Sequence, residues 1–299
     1  MSIINNANPG SSILILSIID QYLRNYQSKQ ITLDVLKQHL RPDILSKSPN
    51  ALGKYKENLN FWIKYGIWQV EGEEENKQIF IKDGDEQLSL EHRVLRSIIK
   101  SIVTKENFFD ENNVEPFILY INCLLEQDRY SFAGGDRLVT GSESNIPQAI
   151  HQYAKLRRVP NMSNESNYLM KWAQFLGFVE ADNEGYMLDP TRAIYPYLKL
   201  IFKENQTLSI RQFLEKLSEY LPMFGDGRFN QFLTDVIRDP RNRGHQISAA
   251  LSHALLRLEM MNKIYLDSKS DDVEVMELYL PKGMPSKMVS SVSWKGDVA

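Results

Sequence analysis

Apolar residues recur along this chain at helical spacing in short blocks, and several blocks stop at a glycine or an asparagine. From Ile13 to Tyr26 the positions Ile15, Ile18, Ile19, Tyr22 and Leu23 share one helical face, and Ser11 and Ser12 just ahead of them supply hydroxyls suited to capping a helix start. Thr32 caps a second block, Leu33 to Leu40. It closes before Pro42, because the proline ring disfavours a helical conformation in the residue ahead of it. A third block, Asn50 to Tyr65, sets Leu52, Tyr55, Leu59, Trp62 and Ile63 on one face, and Gly66 can adopt the left-handed conformation that ends a helix. Two β-prone runs follow, Ile67 to Glu71 and Gln78 to Lys82, separated by the polar turn Gly72 to Lys77. Three helices and a β-hairpin predict a winged helix.

The pattern returns twice. Tyr168 to Leu176 is a helical run stopped by Gly177, followed by Phe178 to Glu180, a turn at Asp182 to Gly185, and Tyr186 to Leu188. Ser248 to Met261 is stopped by Asn262, followed by Lys263 to Leu266, a polar turn at Asp267 to Asp272, and the strand-like Val273 to Leu280. With Gly66, Gly177 and Asn262 in register, Leu59, Met170 and Leu255 fall seven positions before each stop, and Tyr65, Leu176 and Met261 one before. Unequal spacing between the stops rules out a regular solenoid. Helices are predicted in the gaps at Leu90 to Thr104, Val114 to Gln127, Ile146 to Leu156, Ala193 to Lys203, Ser209 to Leu221 and Arg228 to Val236.

The expected fold is therefore mainly α with small β-hairpins, tandem winged-helix units joined by helical segments. The expected divisions are an N-terminal winged helix in 1–88, a helical linker with a second winged helix in 89–192, a helical segment with a third in 193–282, and an irregular tail in 283–299. Ser131 to Asn145, with Gly134, Gly135 and Gly141, reads as a mobile loop and a boundary.

Composition narrows the function. The 299 residues are 42% hydrophobic and 24% charged, as in ordinary globular proteins, and carry a formal net charge of -3. That balance excludes coating of nucleic acid by bulk charge and leaves only local patches. The single Cys123 excludes an internal disulfide, and the N-terminal stretch lacks the charged start of a signal peptide, so the cytoplasm is expected. No run reaches the roughly 18 apolar residues of a membrane span.

Enzyme signatures are weak. Gly134-Gly135-Asp136 has neither the lysine nor the spacing of a phosphate-cradling loop, and no Gly-x-Ser-x-Gly elbow occurs. His39, His92, His151, His245 and His253 are scattered, without the paired spacing of zinc ligands. No small-molecule cofactor or metal is expected. One loose nuclease-like pattern, Pro42-Asp43 with Glu75-Asn76-Lys77, places its second half in a hairpin tip, a poor frame for holding a divalent ion.

Candidate nucleic-acid contacts are local. In the first unit Lys54, Asn58, Asn60 and Lys64 could face outward, but the wing carries Glu71, Glu73, Glu74 and Glu75, which repel phosphate. In the second, Lys155, Arg157 and Arg158 form a basic patch before a helix that opens with Ser163, Asn164, Ser166 and Asn167. The alternative for that patch is a solvated helix end, its cations balancing the C-terminal carbonyls. In the third, Arg238, Arg241, Arg243 and His245 lie in one loop, which leads into a helix where Ser248, Ser252, His253 and Arg257 could share an exposed face.

The repeated helix, stop and hairpin, chiefly Leu169 to Leu188 and His245 to Leu280 with its Ser252-His253-Ala254-Leu255-Leu256-Arg257 run, resembles tandem winged-helix accessory proteins of bacterial defence or DNA-modification islands, most nearly the DpdG proteins of 7-deazaguanine DNA-modification islands. The resemblance spans most of the chain and implies no catalytic residues. It implies a non-catalytic adaptor whose partners are protein subunits of a larger complex and double-stranded DNA, with antiviral defence as the setting. A protein-only scaffold or dimerisation subunit and a metal-dependent nuclease are the alternatives.

Overall fold

The computed structural model describes residues 2–26, 30–42, 49–73, 76–109, 116–238, 244–268 and 274–296. Its helices are α1 Ile13–Asn25, α2 Leu33–Leu40, α3 Pro49–Lys64, α4 Leu90–Ser101, α5 Lys105–Phe109, α6 Pro116–Leu125, α7 Ile146–Tyr153, α8 Glu165–Phe175, α9 Thr191–Ile194, α10 Leu198–Ile201, α11 Ile210–Tyr220, α12 Arg228–Leu233 and α13 Ala249–Met260. The strands are β1 Ile31–Thr32, β2 Gln69–Glu71, β3 Gln78–Phe80, β4 Val179–Ala181, β5 Tyr186–Leu188, β6 Thr207–Ser209, β7 Ile264–Asp267, β8 Met276–Glu277, β9 Met288–Val289 and β10 Ser291–Trp294. The fold is thus mainly helical with small antiparallel sheets. No helix among the described residues is long and apolar enough to cross a membrane.

Helix starts follow their caps. Ser12, Thr32, Ser89 and Ser209 each accept a hydrogen bond from the backbone N–H three residues on, and the Gln212 side chain accepts one from the Ser209 N–H to complete a capping box. The single helix expected from Ala193 to Lys203 is instead α9 and α10 either side of a 3-10 turn at Tyr195–Tyr197, because Pro196 has no N–H to give and its ring crowds the preceding turn.

Three helix ends are built alike. At the end of α3, Gly66 N–H bonds the Ile63 carbonyl and Ile67 N–H the Trp62 carbonyl; at α8, Gly177 bonds Gln174 and Phe178 bonds Ala173; at α13, Asn262 bonds Glu259 and Lys263 bonds Leu258. This is the Schellman pattern, which satisfies carbonyls the helix would otherwise orphan and requires a left-handed residue. Gly66, Gly177 and Asn262 have φ of 72°, 84° and 56°, and Asn262 is the one non-glycine residue with positive φ among those described. In the same register Leu59, Met170 and Leu255 are all buried, as are Trp62, Ala173 and Leu258 at the carbonyl that accepts the longer bond.

Each stop leads into a pair of antiparallel strands, and in the first and third sheets the later strand of the pair is central. In the first sheet, ordered β1-β3-β2, Ile79 pairs with Ile31 on one side and Val70 on the other. In the third, ordered β6-β10-β7, Val292 pairs with Leu208 and Leu266. In the second, β5 pairs with β4, and the outer strand shrinks to a single antiparallel bridge between Leu138 and Tyr186. The order strand, helix, helix, stop, hairpin is therefore repeated around α2–α3, α7–α8 and α11–α13, with α12 added in the last.

Two expectations are corrected. The tail is not irregular: the partner of β7 is β10 at Ser291–Trp294, while β8, within the stretch expected to supply that partner, pairs with β9. A polar excursion between the paired strands hid the connection, and two- to four-residue strands carry too little alternation to be read. Nor is 131–145 a plain linker. Ser131 and Leu138 are buried and bridge to β5, and Asn145 closes the loop by accepting from Val139 N–H and donating to the Arg137 carbonyl. A Cβ at Gly134 would lie 2.3 Å from the Arg129 Cα, so glycine there allows close backbone approach.

One contiguous core runs through all three repeats. Trp62 of the first meets Trp172 of the second at 5.6 Å between ring centroids. From the α4 side, Arg93 donates to the Ile67 carbonyl at 3.0 Å and pairs with buried Asp20, which also takes the Trp68 indole N–H at 3.0 Å.

Candidate nucleic-acid interface

The second repeat presents an exposed basic ridge built from residues singled out by sequence. Lys155 and Arg157 are exposed and have no ion-pair partner among the described residues. Arg158 is also exposed and pairs with the carboxylate of Glu165, itself buried at the start of α8. The turn into α8 is fixed by Asn161, whose Oδ1 accepts from the amides of Asn164 and Glu165, while Glu165 Oε2 accepts from Asn161 N–H. Ser163 in the turn before α8 and Lys171 on its outer face stay exposed, with Asn167 partly so.

Arg238, which the sequence assigns to a different unit, joins this ridge. Lys155 N–H bonds the Val236 carbonyl at 2.7 Å and Arg238 N–H bonds the Tyr153 carbonyl at 2.9 Å, a short antiparallel bridge centred on Ala154 and Ile237. The Arg238 guanidinium then lies on the end of α7, donating to the His151 carbonyl at 2.6 Å and bonding the ring Nε2 at 3.3 Å. Arg241 and Arg243 lie outside the described residues. His245 is exposed, and its carbonyl accepts from Glu277 N–H.

The helix expected to read bases in the third unit is arranged differently. Ser252 is fully buried, so the exposed face proposed for Ser248, Ser252, His253 and Arg257 does not exist as such. The Ser252 hydroxyl accepts from Tyr279 N–H at 2.9 Å and so ties α13 to the chain after β8. His253 Nε2 lies 3.3 Å from Asp189 Oδ2, and Arg257 pairs with the same carboxylate and with Glu180 at 3.4 Å. Asp128 accepts from Ala249 N–H at 2.9 Å, standing in for the cap that Ser248 does not make. Phe132 stacks on His253 at 5.3 Å. Apart from Tyr279, these partners, Asp128, Phe132, Glu180 and Asp189, all come from residues 128–189, so α13 is held by the part of the chain around the second repeat.

Asp189 is the hub of that contact. Burial pushes its pKa up, but hydrogen bonds from His253, the Thr191 hydroxyl and the Thr191 amide, with the His253 charge, together outweigh burial and hold it below the ordinary aspartate range. Arg257 is shifted up, chiefly by its bond to Asp189. The signal for Asp189 was present in Asp189-Pro190-Thr191, where an aspartate bonding the amide two residues on opens α9. Its charged partners, 64 and 68 residues away, leave no such trace in sequence.

In the first repeat Lys54, Asn60 and Lys64 are exposed, but Asn58 is buried, its amide donating to the Ser12 carbonyl at 3.4 Å. Glu71 and Glu73 are exposed on the hairpin; Asp43, Glu74 and Glu75 lie outside the described residues. Among the described residues no group of three or more His, Cys, Asp or Glu side chains could hold a metal ion. His39 bonds Tyr22, and His92 sits against Tyr197 at 4.4 Å with its pKa pulled down to about 4, by burial first and by Arg96 second. Cys123 is buried, which pushes its thiol pKa up and removes the thiolate a nucleophile would need.

No curated protein and no solved structure matches the chain. A family model described as DpdG-like matches residues 1–272, which takes in the first two repeats and the third as far as β7, and leaves β8, β9 and β10 beyond it. The chain belongs to the DpdG-like family.

Proposed function

We propose that the protein is a non-catalytic adaptor of a DNA-modification or defence system, that its three repeats are winged helices, and that the second contacts double-stranded DNA. Membership of the DpdG-like family supports the setting. The repeated order of strand, helix, helix and hairpin, with the last strand central, supports the winged-helix reading. The observation that carries the DNA contact is the ridge of Lys155, Arg157, Arg158 and Arg238 at the mouth of α8, where cations meet phosphate while the outer face of the helix approaches the groove. Arg241 and Arg243, which follow Arg238 in the sequence, and the exposed His245 are further candidates for phosphate contact. His253 and Arg257 are left out, because Asp189 already holds them.

The test is duplex binding measured across a range of salt concentrations. Each phosphate neutralised releases about one counterion, so Lys155→Ala with Arg157→Ala should weaken binding and reduce the salt slope by about 2. Wild-type affinity and slope in the double variant would remove the ridge from the DNA contact.

A scaffold reading has one observation in its favour. Met260 and Met261, at the end of α13, are 86% and 48% exposed, and methionine is well suited to adaptable protein contacts. If the protein is only a scaffold, it should show no salt-dependent duplex binding while Met260→Glu abolishes capture of a protein partner.

A further inference from the structure

A cleft of about 950 Å³ opens in the first repeat between the C-terminal half of α3, the turn after β3 and α4. Lys64 from α3, Lys82 from the turn and Lys100 from α4 line it. All three are exposed, and none of their ammonium groups has a hydrogen-bond or ion-pair partner among the described residues. Two carboxylates also line the cleft, but Asp85 is already paired with Arg96 at 2.6 Å, which leaves Glu57 as the one lining carboxylate without an ion pair among the described residues, against three lysines.

The floor adds positive charge. Arg93 has 1% of its side chain exposed, and it shares the single carboxylate of Asp20 with Arg24, so two guanidinium groups sit on one negative charge. Its Nε has no partner among the described residues. Ser97 and Ser101, which also line the cleft, donate to the Tyr65 and Ile98 carbonyls, so the lysine ammonium groups, with the Asn60 amide and Arg93 Nε, are its uncommitted donors. Like charges brought to one cleft from three elements repel one another and contribute nothing to folding; an anion between them would reverse the sign of that interaction. Phe61 and Tyr65, stacked at 4.8 Å, form an aromatic wall on the α3 side. A flat ring can pack against such a wall.

We propose that this cleft binds a free nucleotide carrying at least two phosphate groups, with Lys64, Lys82 and Lys100 on the phosphates and the base toward Phe61 and Tyr65. The volume lies within the range of small-ligand sites. No glycine loop is involved, so the sequence motifs for nucleotide binding are silent about it. The proposal uses other elements than the ridge on α7 and α8, and neither depends on the other.

Calorimetry on the full chain with inorganic pyrophosphate, ADP, adenosine and a single-stranded oligonucleotide tests it. Pyrophosphate and ADP should bind, ADP the more tightly, and adenosine should not. Lys64→Ala with Lys100→Ala, both exposed and spared from packing, should raise both dissociation constants by about tenfold or more while the melting temperature stays put. Lys155→Ala with Arg157→Ala should leave ADP binding untouched. No binding of either phosphate compound, or binding unchanged in the Lys64/Lys100 variant, overturns the site. If ADP gains nothing over pyrophosphate and the oligonucleotide displaces both, the phosphates belong to a strand and the free-nucleotide assignment is overturned.

Discussion

Helices α8 and α13 hold equivalent places in their repeats. Each ends in the same pair of backbone bonds at a left-handed residue, and each leads into a pair of antiparallel strands. Around α8 the basic residues at the entrance stay in solvent and Lys171 is exposed. On α13 the corresponding polar groups are turned into the molecule: Ser252 is buried, and His253 and Arg257 reach Asp189 of the second repeat. A shared local motif therefore fixes where a helix ends and which positions are apolar. It does not fix what the remaining face meets, since that depends on acids placed far away in the chain.

The largest expected effect comes from what closes the third repeat. Ending the chain after Lys282 removes β10, and with it the burial of Val289 and Val292 and the pairing of both β6 and β7. At about 1.5–3 kcal/mol for each fully buried aliphatic side chain, the loss should be about 3–6 kcal/mol before the ladder bonds are added. Amide exchange should show α11 and α13 unprotected while α8 keeps its protection; retained protection in α13 would mean that Asp128 and Asp189 alone hold it.

Next is Asp189→Ala. It strands His253 and Arg257 and removes the bonds to Thr191, and because Arg257 is partly exposed a loss of about 2–3 kcal/mol in chemical denaturation is expected. Because the folded pKa lies below the ordinary 3.8, the stability Asp189 contributes is full above about pH 5 and is withdrawn as pH falls through that value toward the folded one. Asp189→Asn should accordingly flatten the acid limb of the stability profile below about pH 4, and an unchanged limb would show that the carboxylate is not the hub.

The helix stops should separate by their surroundings. A Cβ at Gly177 would lie 2.7 Å from Ala193 N and 2.8 Å from Arg192 Cβ, whereas one at Gly66 meets nothing within 4 Å. Gly66→Ala should lose about 1 kcal/mol, the strain of the left-handed conformation alone, and Gly177→Ala about 3 kcal/mol or more once the clash is added. Equal losses would place the whole effect in the backbone conformation.

The smallest effect is an expected null. Arg257→Ala, set beside the Lys155/Arg157 double variant, should leave the salt slope of duplex binding unchanged, because its cation is already used within the protein. A lowered slope would return α13 to the DNA-facing side of the comparison.

What the sequence made legible follows from range. Caps at Ser12 and Thr32, the stops at Gly66, Gly177 and Asn262, and the buried grid at Leu59, Met170 and Leu255 are set by neighbours a few residues apart, and they read correctly. The outer strands β1 and β6 were not legible, because two or three residues hold no period, and β10 was missed because its partner β7 precedes a long excursion. At the candidate interface, Lys155, Arg157 and Arg158 were legible as a run, but their junction with Arg238 rests on a bridge between residues more than eighty positions apart. Asp189 was missed for the same reason.

The order of the strands also sets a timetable. The first sheet can close once residue 80 has been synthesised, whereas the third stays open between β6 and β7 until residue 294 has followed. Domains fold as they emerge, N-terminal parts first. During translation the second repeat can therefore already present Asp128 and Asp189, ready to receive α13, while the sheet beneath that helix still lacks its middle strand. The earlier repeat can serve the last one as a template on which the late strand finds its register.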